Sequence, residues 1–310
     1  MEEYFLTKKQ NDVIMLWRNS SSVIIGYNQN AIEEIDVDYV KEHGIPVIRR
    51  QSGGGAVFHD LGNINFSVIH AMEENDFSNY AKFTAPICDF LQRLGVDARL
   101  QGRNDLCIDG MKFSGNAQAV KNGRIMHHGT ILYNANVEHL AKALKPKPAK
   151  IESKGIKSVR SRITNVANHL PEVMSAEEFY HRLAEFFLAE TEGMTEYRLT
   201  AEDIAAVNQL VEEKYGLWEW NFGSSPKYNM QKSEYLPCGL VEVSLRVSRG
   251  SIEDIHIYGD FFGTADKSEI ETALKGIPHR PEDVRTALEH FDLQNYIYGI
   301  SPEQLINLLF

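Results

Sequence analysis

Short apolar runs alternate with polar turns along the first part of the chain, at a spacing that suits strands. β-Branched and aromatic residues gather at about 12–17, 22–27, 46–50 and 63–70, each run bounded by turn residues, which predicts four strands. Helical spacing takes over twice. "AIEEIDVDYVKEHG" (31–44) reads as one helix closed by Gly44, and between Asp76 and Gly95 the residues Phe77, Tyr80, Phe83, Ile87, Phe90, Leu91 and Leu94 share a face. Pro86 inside the second helix predicts a kink or a later start. Three strand-like pieces follow, "DARLQGRNDLCID", "MKFSGNAQAV" and "GRIMHHGTILYN", separated by Asp-Gly and Asn-Gly, the strongest short hairpin signals. This pattern predicts an antiparallel sheet with helices interspersed, and no regular βαβ array.

Helices then dominate. Ser175 and Glu178 stand as a capping box before "AEEFYHRLAEFFLAE", and Thr200 caps a helix that Gly216 stops. "WEWNFGSSPKY" (218–228) contains Gly-Ser-Ser-Pro, the best linker candidate. Beyond it a Gly-turn hairpin and helices near 267–275, 281–290 and 301–309 form a small α+β unit. The expected division is 1–224 for the main domain, 225–230 for the linker and 231–310 for the second domain. The fold class is α+β.

Charge and cysteine content narrow the classes. A net charge of −11 speaks against general affinity for nucleic acid. No apolar run approaches the roughly 20 residues of a membrane helix, and "MEEYFLTKKQ" lacks the features of a secretory signal. Three cysteines without CxxC spacing argue against a disulfide framework or a zinc site, so a cytoplasmic setting is expected. One window, "KPKPAKIESKGIKSVRSR" (145–162), carries seven Lys or Arg and one Glu. A basic loop on an acidic body suits a compact polyanion such as a nucleotide.

The densest chemistry lies in "VIRRQSGGGAVFHDLGNINFSVI" (47–69). Gly53, Gly54 and Gly55 remove side chains at three positions, so a ligand can lie against backbone N–H groups. Triple glycine alone is most often a turn, and neither a Walker loop nor a GxGxxG fingerprint is present. Arg49 and Arg50 beside it change the picture, because guanidinium groups pair bidentately with phosphate or carboxylate.

"RRQSGGGAVFHDLGN" resembles the lipoate-binding loop of the lipoate-protein ligase A family, in the biotin/lipoyl ligase superfamily. The agreement continues in order through "GRNDLCIDGMKFSGNAQ", "HHGT" and "KGIKSVRSRITN". The resemblance covers nearly the whole chain and implies a biotin/lipoyl ligase-like sheet domain with an accessory C-terminal domain. It implies that lipoate or octanoate and ATP, with Mg²⁺, give an acyl-AMP, whose acyl group passes to a lysine of an apo lipoyl domain. Acceptors of this kind are the glycine-cleavage H protein and the acyltransferase subunits of 2-oxoacid dehydrogenases.

By the same resemblance Lys112 contacts both the acyl carbonyl and the phosphate. Arg50, Gly55, Ala56, Val57, Phe58 and Asn104 serve the nucleotide, with Lys154 and Arg160 from a basic loop that closes over the intermediate. Gly53, Gly54, Gly55, His59, His128, Gly129 and Thr130 serve lipoate, and Asp105 is the candidate Mg²⁺ ligand. His59 and Asp60 are read as fixing the loop by hydrogen bonds, and either histidine of the 127–128 pair could instead be buried structure. Family members carry about a strand and a turn ahead of the helix that "MEEYFLTKKQ" resembles, so an open edge or core position is expected there. The alternative is an acyltransferase of the same superfamily working without ATP through a cysteine thioester, for which Cys107 is the candidate.

Overall fold

The computed structural model describes residues 1–144, 163–222, 230–248 and 250–310. The basic window 145–162, with Lys154 and Arg160, lies outside the described residues, as does all of the expected linker except Met230.

A six-stranded antiparallel sheet runs in the order β1-β5-β9-β8-β7-β6. Its strands are β1 (Val13–Trp17), β5 (Asn63–Ala71), β6 (Ala98–Gln101), β7 (Asp105–Ile108), β8 (Met111–Lys121) and β9 (Arg124–Leu132). The two dipeptide signals become tight turns. Asp109 and Gly110 join β7 to β8 with φ of 51° and 75°, and Asn122 and Gly123 join β8 to β9 with φ of 53° and 71°. A smaller mixed sheet, β3-β2-β4, pairs β2 (Ser22–Ile25) parallel to β3 (Val47–Arg49) and antiparallel to β4 (Val57–His59). Strand β4 lies outside the four predicted strands; it is three residues long and begins one residue after the glycines.

Two helical expectations change. The segment 31–44 breaks into α2 (Ala31–Glu34) and α3 (Val37–Glu42), because Ile35 bridges to Leu144 and Asp36 caps α3 by accepting from Tyr39 N. Helix α4 (Tyr80–Arg93) starts late, at the Asn79 cap, and carries Pro86 in its interior. It packs with the helix Ala176–Glu190 over one face of the large sheet, around Ile64, Phe66, Leu106, Phe113, Tyr133 and Phe179. On the other face sits α1 (Glu2–Lys8), with Tyr4, Phe5 and Leu6 against Met15, Ile69 and Met126. After the helix Ala201–Leu210 the chain widens into a π-helical turn over Val211–Tyr215, then a short helix Trp218–Asn221.

The C-terminal region builds its own core. Strands β10 (Met230–Leu236), β11 (Gly239–Ser248) and β12 (Ser251–Gly259) form an antiparallel sheet. Their inner residues pack on three helices, Ser268–Leu274, Pro281–Leu288 and Pro302–Leu309. The architecture is α+β in both parts. The C-terminal region also touches the first through Phe262, which packs on Tyr80 and Ala117 and lies under the Arg103 guanidinium at 4.5 Å.

Candidate active site

A cleft of about 620 Å³ opens between the two N-terminal sheets. Its walls are mostly apolar, with Met15, Trp17, Ile24, Ile48, Val57 and Ala117 among them, and polar residues such as Arg50, Asn104, Lys112 and His128 complete the lining. Of the sequence-derived candidates, Arg50, Gly54, Gly55, Ala56, Val57, His59, Asn104, Lys112, His128, Gly129 and Thr130 all line it. Gly53, Phe58 and Asp105 do not. Alternation along β4 accounts for Phe58: Val57 faces the cleft, so Phe58 turns into the core of the small sheet beside Val23 and Val47.

Lys112 stands on β8, paired across to Cys107 beyond an irregularity in the β7–β8 register. Its ammonium forms an ion pair of 2.7 Å with Asp105. Gly115 makes space for it, since a Cβ there would come within 3.0 Å of Lys112 Nζ. Where the chain re-enters the described structure after the basic window, Ile163 bridges to Lys112 and Thr164 N donates to the Lys112 carbonyl at 2.9 Å. The residues that follow that window are therefore anchored at Lys112.

The arginines do other work than expected. Arg49 is buried, and its guanidinium donates to the carbonyls of Gly26, Tyr27, Gln29, Trp220 and Asn221 at 2.6–3.1 Å. Arg50 donates through Nη2 to Gly53 O (2.6 Å) and Gly55 O (2.9 Å), through Nε to Ser52 Oγ and through Nη1 to Ile24 O. Burial pulls both down to about 10. Both stay charged at neutral pH, and Arg50 sets positive potential beside the glycine loop while holding its shape.

The glycines themselves answer to close packing. A Cβ at Gly53 would meet the Phe261 carbonyl, and one at Gly54, whose φ is +89°, would meet Arg50 and Phe262. Gly26 is pressed against the Gly54 carbonyl in the same way. Gly129 is required by Phe66 and Asn116.

Each histidine has a defined state. His59 accepts from Asn19 at 3.0 Å through Nδ1, which places its proton on Nε2, and that buried nitrogen meets no acceptor among the described residues. Burial, then the Arg50 charge, push His59 down to about 3, so it is neutral. His127 is the structural member of its pair: fully buried, stacked on Phe83 at 4.8 Å, and held well below its usual value by burial. His128 spends both ring nitrogens, on Glu2 (2.7 Å) and Ser52 (2.6 Å). Asp60 accepts from Gly62 N and Asn136 N and so fixes the turn after β4. Cys107 is buried and its thiol is raised by burial, which disfavours a thiolate nucleophile. Sequence reasoning missed Glu2, Asn19 and Ser52. Ser52 stands inside the motif, but Glu2 and Asn19 carry no local signal and join the site only through the fold.

Residues 1–188 match the lipoyl protein ligase A/B catalytic domain, and residues 225–309 match the bacterial lipoate protein ligase C-terminus. Lipoate-protein ligase LplJ of Bacillus subtilis is 45% identical over all of this chain and 95% of its own length. Among solved structures, Plasmodium falciparum LipL1 in complex with lipoate aligns with a TM-score of 0.75 at 26% identity, covering 96% of this chain and 85% of that one. A bi-partite lipoate protein ligase from Thermoplasma acidophilum, described with its E2 lipoyl domain, gives 0.64 at 32% (74% and 91%). Lipoate-protein ligase A bound with ATP gives 0.62 at 30% (71% and 91%). The chain belongs to the lipoate-protein ligase family, and it is a ligase. Among the described residues no helix is long and apolar enough to cross a membrane.

Proposed function

We propose that the protein joins lipoate, or octanoate, to a lysine of an apo lipoyl domain through an acyl-AMP made from ATP. The observation that carries this is the placement of the Lys112 ammonium and the glycine loop on one apolar cleft, whose volume falls within the roughly 300–1,000 Å³ of small-molecule sites. The acyl chain takes the apolar wall of Ile24, Ile48, Val57 and Ala117. His59 lines the same cleft, and its buried Nε2–H is left without a partner among the described residues.

In the first step a carboxylate oxygen attacks the α-phosphorus and pyrophosphate leaves. Two anions must meet, and fixed cations and oriented N–H groups offset their repulsion. Lys112 supplies the mobile cation, leaving Asp105 when phosphate arrives, while Arg50 supplies a fixed one. In the second step the acceptor's lysine amine attacks the acyl carbonyl and AMP leaves. The Lys112 ammonium is the group able to follow both charges. Lys154 and Arg160 belong to this proposal as a cover over the intermediate, which would exclude water.

No cluster of three or more His, Cys, Asp or Glu suited to a metal occurs among the described residues. That fits Mg²⁺, which usually takes one or two protein carboxylates and completes its shell with phosphate oxygens and water. Asp105, half-exposed and ion-paired with the Lys112 ammonium that lines the cleft, is the carboxylate we assign to hold it. When bound, the ion neutralises charge on the ATP phosphates. The remaining parts of the reading are the division at 225–230, a cytoplasmic setting, and acceptors that include the glycine-cleavage H protein and acyltransferase subunits.

The test incubates the protein with lipoate, Mg-ATP and an apo lipoyl domain and follows the mass of the acceptor. One lipoyl addition on one lysine is expected, with pyrophosphate released. Addition without ATP would turn the assignment to the transferase. Lys112→Ala should abolish lipoyl-AMP formation in a folded protein.

A further inference from the structure

The glycine loop is braced by a set of connected side chains, of which Glu2 and His128 also line the cleft and Ser52 does not. Ser67 Oγ and His128 Nδ1 both reach Oε1 of Glu2, the histidine at 2.7 Å. A carboxylate only accepts, so His128 carries a proton on Nδ1. Its Nε2 faces Ser52 Oγ at 2.6 Å, and the same oxygen accepts from Arg50 Nε at 3.0 Å. Arg50 then reaches the Gly53 and Gly55 carbonyls. An unbroken line of contacts thus runs from helix α1 to the loop.

The order Ser, His, Glu is that of a nucleophilic triad. Here Ser52 is 1% exposed, does not line the cleft, and is already engaged by a guanidinium N–H, so it is no nucleophile. A line of groups that ends on the backbone of a ligand-facing loop has a different use: it fixes where that backbone stands. A misplacement of about 1 Å in a positioning element costs on the order of 100-fold in rate.

We propose that Glu2, His128 and Ser52 are positioning residues that act as one unit, setting Arg50 and through it the carbonyls of Gly53 and Gly55 for acyl-adenylate formation. The proposal rests on the ligase reading of this cleft. Glu2 fixes the histidine tautomer, and the histidine orients the Ser52 hydroxyl. Ser52 holds Arg50 Nε, leaving Nη2 free to gather the loop. Burial opposes the Glu2 charge, but His128 and the hydrogen bonds outweigh it and hold Glu2 at about 2, so the carboxylate is ionised throughout the working range.

The experiment measures pyrophosphate release from lipoate and Mg-ATP for wild type, Glu2→Gln, Ser52→Ala and the double variant, with thermal unfolding of each. Each single change is expected to lower kcat/KM about 10-fold, and the double variant no further than the worse single, because groups in one network are non-additive. Losses that multiply in the double variant, single variants at the wild-type rate, or activity falling only in step with the thermal midpoint would overturn the relay. If the Glu2 variant does not fold, His128→Gln takes its place in the same comparison. Wild-type protein that releases no pyrophosphate overturns the ligase reading and with it the relay's role in that reaction. ¹⁵N-histidine spectra give a reading independent of activity: a His128 ring without a proton on Nδ1 in the wild type also overturns the relay.

Discussion

Gly53 lies so close to Phe261 that a Cβ on the glycine would stand 2.2 Å from the Phe261 carbonyl oxygen. The first glycine of the loop is therefore required by the C-terminal region, 208 residues along the chain. Backbone faces backbone here, so neither side can yield by a rotamer change. Gly53→Ala is expected to cost about 1–3 kcal/mol, the range of an overpacked core. Calorimetry reads this as a lower unfolding temperature, and an unchanged midpoint would refute the contact.

Gly115 makes a contrasting case. Its missing Cβ faces the flexible end of Lys112, 3.0 Å from Nζ. Gly115→Ala should leave the fold intact, and a strand interior even favours the change, but the ammonium must swing away. Lipoyl-AMP formation should fall about 10-fold for a misplaced catalytic group, with unfolding unaffected. Equal activity would mean that Lys112 does not need its present position.

How far this site was legible in sequence depends on the range of the interactions. Asp109-Gly110 and Asn122-Gly123 adopt the left-handed turns that dipeptide chemistry predicts, and Thr200 and Ser301 cap their helices, because these effects lie within four residues. The break at Asp36 escaped notice since the apolar spacing continues across it and the pairing of Ile35 with Leu144 is distant. Arg49 and Arg50 looked like anion binders beside a glycine loop, yet most of their N–H groups meet carbonyls contributed by other segments. Which of His127 and His128 is structural follows from the facing strands, which sequence alone does not supply.

The neutral histidines predict a pH profile for stability. His59, pushed to about 3, and His127, held well below normal, are both uncharged in the folded protein, chiefly through burial. In the unfolded chain each titrates near 6.5. Above that pH their contribution is fully present; as pH falls below it, the unfolded state takes up more protons and stability drops, by up to about 1.4 kcal/mol per pH unit for each histidine. Urea unfolding at pH 7.5, 6.0 and 5.0 should show the decline beginning near pH 6.5, well above the carboxylate range. His127→Gln, which keeps hydrogen-bonding groups but cannot titrate, should remove about half the slope. A curve flat to pH 5 would contradict the buried neutral assignment.

Arg49 offers the sharpest test of how the loop is supported. Its guanidinium satisfies five backbone carbonyls from two segments, 26–29 and 220–221, while its own backbone N–H donates to Asn221 Oδ1 and its carbonyl accepts from the Trp220 indole. The segment just before residue 223 is thereby fastened to the strand that leads into Arg50. Arg49→Lys keeps the charge and loses the fork. One ammonium has three donors on a single nitrogen and cannot reach carbonyls on both sides. Each carbonyl stranded in the interior costs about 1–3 kcal/mol, so a loss of about 3 kcal/mol is expected from denaturant unfolding. Trp220 reports the same event locally, because its ring packs on Lys214 at 4.0 Å and its indole nitrogen is held by Arg49. Its fluorescence should shift in Arg49→Lys under conditions where the protein is still folded. If lysine proves equivalent in stability and spectrum, charge alone holds the strand and the hydrogen-bond fork is dispensable.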